Sequence, residues 1–253
     1  MKTVERHKKI IDKINQEGQV KSQSLCEELD VSSVTIRKDL KFLEEKGMLY
    51  RVHGGATQTN PYASDRHLSE KEKYHFSEKM LIGNMAAKSI TANDSVLIAS
   101  GTTVLALAKS IQPVGNLTII TNAMNVAMEL NNHIEIDVIL LGGYLRKRSF
   151  SVAGMYAENI LKDFSCTKLF LGVDGIDLEF GLTTTNAMEA NLNREMIKVS
   201  QKIIVLVDSS KFGKRGFSRI CGFESIDEII TDNKISDFTK KQLEEFGVEV
   251  TIV

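Results

Sequence analysis

Two stretches of this chain carry side chains suited to binding something other than the chain itself. The first is Val31-Ser-Ser-Val-Thr-Ile-Arg-Lys-Asp-Leu40. Ser32 has the side chain of a helix N-cap, an oxygen able to accept a bond from a free amide of the first turn. Ile36, Leu40 and Leu43 recur at i, i+4 and i+7 and define one inward stripe. Thr35, Arg37, Lys38 and Lys41 fall off that stripe, and Ser33 and Val34 open the helix. A short capped helix, apolar on one side and basic on another, suits a DNA groove, where cations meet base edges and phosphates. Gly47 follows Lys46 where a left-handed helix stop would sit.

The second stretch is Ser100-Gly-Thr-Thr103, placed between a strand pattern and a helix pattern. Glycine lets backbone approach closely, two threonines offer hydroxyls, and the helix start presents free N–H groups, which together form a cradle for phosphate. Thr121-Asn122, Gly142-Gly143, Asp174-Gly175-Ile176-Asp177 and Asp208-Ser-Ser-Lys211 also follow strand patterns. Ligands of open α/β sheets bind beyond the carboxyl ends of the strands. Carboxylates and amides such as Asp174, Glu189 and Asn122 suit sugar hydroxyls, and Arg194 and Lys211 suit a phosphate or a structural ion pair. Arg146, Lys147 and Arg148 read as a solvated basic loop.

These residues need elements to hold them. A first helix over about Val4 to Glu17, stopped by Gly18, precedes a second over about Ser22 to Leu29 and a tight turn at Asp30-Val31. In helix–turn–helix order the second helix of the pair reads the major groove. Met48 to Val52 and then His53-Gly-Gly-Ala56 read as a β-hairpin wing, which puts Arg51 and His53 on the DNA backbone or minor groove. Residues 57 to 72 are polar, with Asn60 and Pro61, and mark a domain boundary. One long helix is expected over about Lys73 to Ile90. Apolar runs of five or six residues then alternate with helix patterns: strands at Ser95–Ala99, Leu117–Thr121, Ile136–Leu141, Lys168–Gly172, Lys202–Val207, Glu228–Thr231 and Val248–Val253, and helices from Val104, over Ala123–Leu130, Asn186–Ser200 and Asp237–Phe246. That alternation means a mostly parallel, doubly wound sheet. The expected organisation is a winged helix–turn–helix domain over 1–57, a linker over 58–73 and an α/β domain over 74–253.

Charge gives no global signal: 32 Lys+Arg face 33 Asp+Glu. Residues 1–60 hold 11 cationic against 9 acidic side chains, a surplus of two, leaving 21 against 24 for the rest. So small a surplus must be concentrated on one face, and it favours two or more copies acting together, since each phosphate neutralised adds affinity. There is no apolar run of about 18 residues for a membrane span, and MKTVERHKK lacks the apolar segment of a secretory signal. Cys26, Cys166 and Cys221 are scattered and read as reduced thiols of a cytoplasmic protein. The five His are scattered too. No metal and no cofactor are expected.

Arg6, then Ile10 and Ile14 at four-residue steps, then Ser32-x-x-Thr35-Ile-Arg-Lys-Asp-Leu40 resemble the signature of the DeoR family of bacterial transcription regulators. The resemblance extends through S-G-T-T, T-N, G-G-x-L-R, G-x-D-G-x-D, G-L-T-T, E-A and D-S-S-K-F, which look like that family's effector domain, itself similar to ribose-5-phosphate isomerase. It implies that Ser100, Gly101, Thr102 and Thr103 bind a phosphate and that Asp174, Glu189 and Lys211 surround a sugar. Where many members have Asp before S-G-T-T, this chain has Ala99, which removes one hydroxyl contact. The stretches from Thr121, Glu189 and Asp208 look like regulators of N-acetylgalactosamine and related amino-sugar catabolism.

The expectation is therefore a repressor of a carbohydrate operon that binds double-stranded operator DNA as a homodimer or homotetramer and answers to a phosphorylated sugar, an amino-sugar phosphate on the last resemblance. Its DNA residues are Ser33, Val34, Thr35, Arg37, Lys38, Lys41, Arg51 and His53. Its effector residues are Ser100, Gly101, Thr102, Thr103, Thr121, Asn122, Gly142, Gly143, Asp174, Gly175, Glu189 and Lys211. An enzyme is the alternative, an aldose–ketose phosphate isomerase with Asp174, Asp177 and Glu189 as acid/base carboxylates, although an isomerase has no use for a fused winged helix. A protein-binding module of helix–turn–helix shape is the third reading.

Overall fold

The computed structural model describes residues 3–46, 48–52, 54–58, 67–112 and 115–253. Gly47, His53, Asn60 and Pro61 lie outside the described residues. The chain divides into two compact units, Met1–Ser64 and Asp65–Val253.

In the first unit, α1 (Thr3–Glu17) turns Ile10 and Ile14 inward and stops at Gly18, whose φ of 74° favours glycine. β1 (Gln19–Lys21) leads directly into α2 (Ser22–Leu29). Asp30 takes the left-handed conformation, φ 49°, and Val31 N–H donates to Cys26 O at 3.2 Å, which makes the tight turn. α3 (Ser33–Glu45) follows, then β2 (Tyr50–Val52) and β3 (Gly55–Thr57). The wing is a three-stranded antiparallel sheet in the order β1-β3-β2. β1 carries too few residues to show a period, which is why the sequence reading passed over it. Gly55 is required there: a Cβ would lie 1.9 Å from Val20 O. Ile10, Ile14, Leu25, Ile36, Leu40 and Leu43 are at most 2 % exposed and close the core. Each such side chain stabilises the fold by about 1.5–3 kcal/mol relative to an exposed one.

The second unit opens with α4 (Leu68–Lys73) and α5 (Phe76–Ala87) rather than one helix from Lys73 to Ile90. His75, at φ 54°, breaks the run, and the Lys79 ammonium accounts for the break by donating to Lys71 O and Tyr74 O, both at 2.6 Å, at the end of α4. Residues 68–73, read from sequence as the end of a polar linker, are thus helical, with Leu68 buried. A lysine that caps the preceding helix five and eight residues back leaves no periodic pattern in sequence.

The rest alternates strand and helix: β4 (Ser95–Ile98), α6 (Thr102–Ser110), β5 (Leu117–Thr121), α7 (Met124–Leu130), β6 (Ile136–Leu140), β7 (Tyr144–Arg146), β8 (Ser151–Ala153), α8 (Met155–Leu161), β9 (Cys166–Gly172), β10 (Gly175–Asp177), β11 (Gly181–Thr184), α9 (Ala187–Lys198), β12 (Ser200–Leu206), β13 (Ser218–Cys221), β14 (Glu228–Thr231), α10 (Asp237–Glu245) and β15 (Glu249–Ile252). Seven strands form one sheet in the order β15-β14-β12-β9-β4-β5-β6, parallel at every pairing. Its central strands are buried on both faces, as their apolar runs require: Val96, Leu97, Ile98, Leu169, Phe170 and Leu171 are all 0 % exposed. Asp94 pins the amino ends of β4 and β9. It accepts from Thr91 N at 2.7 Å, Thr167 Oγ1 at 2.8 Å and Lys168 Nζ at 2.5 Å. Two small antiparallel sheets, β7-β8 and β10-β11-β13, cover the other end. The sequence reading missed both because their strands are only three or four residues long. No described helix is long and apolar enough to cross a membrane.

Candidate functional site

In the first unit, Ser32 caps α3, its Oγ accepting from Thr35 N at 3.2 Å. With Ile36 and Leu40 facing the core, Ser33, Val34, Arg37, Lys38 and Lys41 are exposed and Thr35 is half-buried. Arg37 and Lys38 make no hydrogen bond or ion pair among the described residues. What fixes the orientation of α3 is a buried ion pair whose partners lie 33 residues apart. Arg6 of α1 donates Nε to Asp39 Oδ2 at 2.5 Å and Nη2 to Oδ1 at 2.9 Å, and His7 Nε2 reaches Oδ1 at 2.9 Å. Both Arg6 and Asp39 are buried. Burial alone would raise the Asp39 pKa, but the bonds from Arg6 and His7 outweigh it and hold the carboxyl below its ordinary range. Asp39 sits beside the inward Leu40 of the apolar stripe, and a carboxylate there was the available signal that a cation must meet it. Arg51 is half-buried: its backbone N–H donates to Glu44 Oε1 at 3.0 Å, and its guanidinium lies 3.9 Å from Glu44 Oε2, so it faces any phosphate with its charge partly compensated.

In the second unit, Gly101 is the N-cap of α6 with φ 147°, a conformation that favours glycine. Ser100, Gly101 and Thr102 are half-buried and Thr103 is buried. The loop thus presents a helix N-terminus and hydroxyl-bearing residues at the carboxyl end of β4. On the adjacent strand, Thr121 is 0 % exposed and its hydroxyl is committed, donating to Ile98 O at 2.8 Å and accepting from Ala123 N at 3.0 Å. It supports the loop rather than facing a ligand. Asn122 Nδ2 donates to Val152 O at 2.9 Å, while its buried Oδ1 and both buried side-chain polar atoms of half-buried Asn125 lack partners among the described residues. Buried polar atoms without partners are costly, and a bound polar molecule relieves that cost. Gly142 and Gly143 are exposed; a Cβ at Gly143 would lie 2.9 Å from Ala153 O, so its smallness serves the β7-β8 hairpin. At Gly175 a Cβ would lie 2.4 Å from Lys214 O, so that glycine also serves packing.

The carboxylates are held in one network. Asp174 Oδ1 accepts from Lys71 Nζ at 2.7 Å, and its Oδ2 accepts from Thr184 Oγ1 at 3.1 Å and from Thr185 N and Oγ1 at 3.1 and 3.2 Å. Burial would raise its pKa, but Lys71, Lys211 and these bonds hold it far below the usual carboxylate range. Glu189 is fixed by Asn186, whose Oδ1 caps α9. Its Oε1 accepts from Ser151 Oγ at 3.0 Å and pairs with Arg146, and Oε2 meets Thr184 Oγ1 at 3.5 Å. Arg146 is therefore buried, 6 % exposed, and not part of a solvated loop. Of the three basic residues there, Lys147 and Arg148 are exposed as expected. The correction follows from β8, which brings Ser151 and the β7-β8 turn onto α9 across 38 residues of sequence. Lys211 is half-buried on a single 3-10 turn, Ser209–Lys211, and its charge acts on both Asp174 and Lys79. Burial pushes the Lys79 ammonium down to about 8, with Asp208 opposing. Arg194 is turned away from the network, donating to Arg219 O at 2.5 Å. Asp177 is occupied by Glu179 N, Phe180 N and Arg215, which leaves it a turn-former. Among the described residues no group of three His, Cys, Asp or Glu is placed to hold a metal ion.

Known proteins resemble this chain in sequence. Residues 6–61 match the DeoR-like helix-turn-helix domain and residues 74–233 the DeoR C-terminal sensor domain. The "Uncharacterized HTH-type transcriptional regulator YulB" of Bacillus subtilis is 37 % identical over 253 residues, covering 100 % of this chain and 98 % of the relative. The "Putative aga operon transcriptional repressor" of Escherichia coli O157:H7 is 37 % identical over 254 residues, covering 99 % and 94 %. The "Lactose phosphotransferase system repressor" of Staphylococcus epidermidis is 33 % identical over 255 residues, covering 99 % of each. With both family domains matched and relatives aligned over nearly their whole length, this chain belongs to the DeoR family of helix-turn-helix transcription regulators, and not to the isomerases.

Proposed function

We propose that the protein is a repressor of a carbohydrate catabolic operon, held in the cytoplasm, whose grip on operator DNA is altered by a phosphorylated sugar bound in the second unit. The observation that carries the DNA half is α3: Arg37 and Lys38 are exposed and lack partners among the described residues, on a helix whose pose is fixed by the Arg6–Asp39 pair. Ser33, Val34, Thr35, Arg37, Lys38 and Lys41 meet the major groove, and Arg51 and His53 the backbone or minor groove. The sensor half is supported by the Ser100–Thr103 loop at the start of α6, by the carboxylates Asp174 and Glu189 beyond the strand ends, and by the partnerless atoms of Asn122 and Asn125. Relatives named as repressors of an aga operon and of a lactose phosphotransferase system favour the repressing sign and a sugar signal. The working division is 1–57 for DNA, 58–73 as connection and 74–253 for sensing, with α4 packed on the sensor.

A second copy of the chain completes the reading. Leu140, Tyr144, Leu145, Phe150, Met155 and Tyr156 are exposed around the edge strand β6, the β7-β8 hairpin and α8, an apolar surface that a homodimer or homotetramer would cover. Two copies also fit paired half-sites one helical turn apart.

The test begins by selecting duplexes from a random pool with the full chain. The selected duplex is then titrated by fluorescence anisotropy in the presence of galactosamine 6-phosphate, N-acetylgalactosamine 6-phosphate, glucose 6-phosphate or ribose 5-phosphate. One of these should shift the midpoint, and the duplex should shift that sugar phosphate's affinity by the same factor, as linkage requires. Failure to select any duplex removes the regulator reading; a duplex whose affinity ignores all four compounds removes the sugar-phosphate reading.

A further inference from the structure

α4 is the first helix described after the DNA-binding unit, and it is tied down onto the sensor elements themselves. Its Lys71 ammonium donates to Asp174 Oδ1 at 2.7 Å. Its first residue, Leu68, is buried and donates its N–H to Arg148 O at 2.8 Å, in the turn of the β7-β8 hairpin that carries Arg146. Glu72 accepts from Lys109 Nζ of α6 at 2.9 Å. Lys79 holds its last carbonyls from α5. The six-residue helix is too short to persist by its own hydrogen bonds, so these attachments are what keep it in place.

We propose that α4 is a latch: Lys71 occupies the Asp174 carboxylate when no sugar is bound, and a phosphorylated sugar whose hydroxyls take that carboxylate expels Lys71 and frees α4, the segment through which the sensor is joined to the DNA-binding unit. This rests on the sensor reading above. The argument is one of acceptor capacity. Oδ2 of Asp174 already takes three bonds from Thr184 and Thr185, and those belong to the fixed β11 and its continuation. Oδ1 accepts from Lys71, the one described partner of Asp174 that comes from a six-residue helix rather than from a sheet strand or its continuation. The partner that yields is therefore Lys71. Its departure removes the bond that ties α4 to the carboxylate, while the burial of Leu68, the Glu72–Lys109 pair and the Lys79 bonds to Lys71 O and Tyr74 O remain among the described contacts. Sugar and latch are thus competitors for one oxygen, and the competition converts occupancy of the sensor into release of the connecting helix.

The experiment uses the full chain with Lys71→Met and Lys71→Arg. Hydrogen exchange is followed for residues 68–73 and for the β4 and β9 core, and affinity is measured calorimetrically for the same four sugar phosphates. Without any sugar, Lys71→Met should speed exchange of 68–73 at least fivefold while β4 and β9 stay unchanged, and Lys71→Arg should restore protection. Exchange of 68–73 as slow in Lys71→Met as in the parent overturns the latch. A sugar phosphate that binds the parent should bind Lys71→Met more tightly, by about tenfold if the latch is closed nine-tenths of the time. It should also raise exchange of 68–73 in the parent. Equal or weaker binding to Lys71→Met overturns the competition. If none of the four compounds binds either protein, the sugar-phosphate reading fails, and the latch stands or falls on the exchange result without sugar.

Discussion

Arg37 and Lys38 on the recognition helix make no hydrogen bond or ion pair among the described residues, whereas Asp174 accepts four hydrogen bonds and Glu189 is held by Ser151, Thr184 and Arg146. The two units thus treat their binding groups in opposite ways. On the proposed DNA face Arg37 and Lys38 stand in water, so a duplex meeting them displaces solvent and ions. On the proposed sensor face the carboxylates are already held by neighbouring side chains, so a ligand reaching Asp174 or Glu189 must exchange contacts there, whereas Asn122 and Asn125 offer atoms without partners. The difference follows from the partner. A DNA backbone is a dense external charge that rewards exposed cations, while the hydroxyls of the proposed sugar phosphate call for carboxylates in a pocket, where they would be unstable if left unpaired. In the first unit, the buried pair Arg6–Asp39 aims the reading helix. In the second, the Arg146–Glu189 pair lies within the proposed site. Exposed-face substitutions should therefore alter DNA binding alone, and sensor substitutions should alter stability and response together.

The largest effects come from breaking the buried pairs. Arg6→Ala and Arg146→Ala each strand a carboxylate in the interior and should each cost about 3–5 kcal/mol in denaturant unfolding. Arg6→Ala should abolish DNA binding by loosening α3. If Arg6→Ala bound DNA normally, the claim that this pair aims the helix would be wrong. Acid comes next. The Asp94 carboxyl is opposed by burial but held down to about 2 by Lys168, Thr91 and Thr167. A depressed carboxylate stabilises above its unfolded pKa and loses that contribution as pH falls through the folded value. Between about pH 4 and pH 2 the second unit should lose about 2 kcal/mol from this residue, and Asp94→Asn should flatten that part of the pH–stability curve. An unchanged curve would remove Asp94 as the acid-sensitive clamp.

Arg37→Ala should weaken operator binding by about 1–3 kcal/mol and relax one base preference, with no change in unfolding midpoint; Lys38→Ala should weaken binding evenly and lower the salt slope by about one. A stability loss in either would contradict the view that this face is solvent-exposed. The smallest effect is Ser32→Ala, which removes the α3 cap and should cost about 1 kcal/mol. Ser32→Asp should restore it, since either side chain accepts from the Thr35 amide.

Sequence determined whatever depends on neighbours within about one turn of helix or a run of strand. Gly18 and Asp30 mark chain reversals, Ser32 caps, Ile36-Leu40-Leu43 faces inward, and the apolar runs of β4, β5, β9, β12 and β14 must lie in a sheet covered on both sides. These features are set by short-range sterics and by periodic burial, which a linear text displays. Tertiary structure alone decided which charges meet: Arg6 with Asp39 across 33 residues, Lys71 with Asp174 across 103, and Arg146 with Glu189. It also decided that Thr121 and Gly175 serve packing, that Arg146 is buried, and that the helix expected from Lys73 onward breaks at His75 where Lys79 caps α4. Electrostatic pairing in a low-dielectric interior depends on through-space distance, and the sequence carries that distance only through the whole fold.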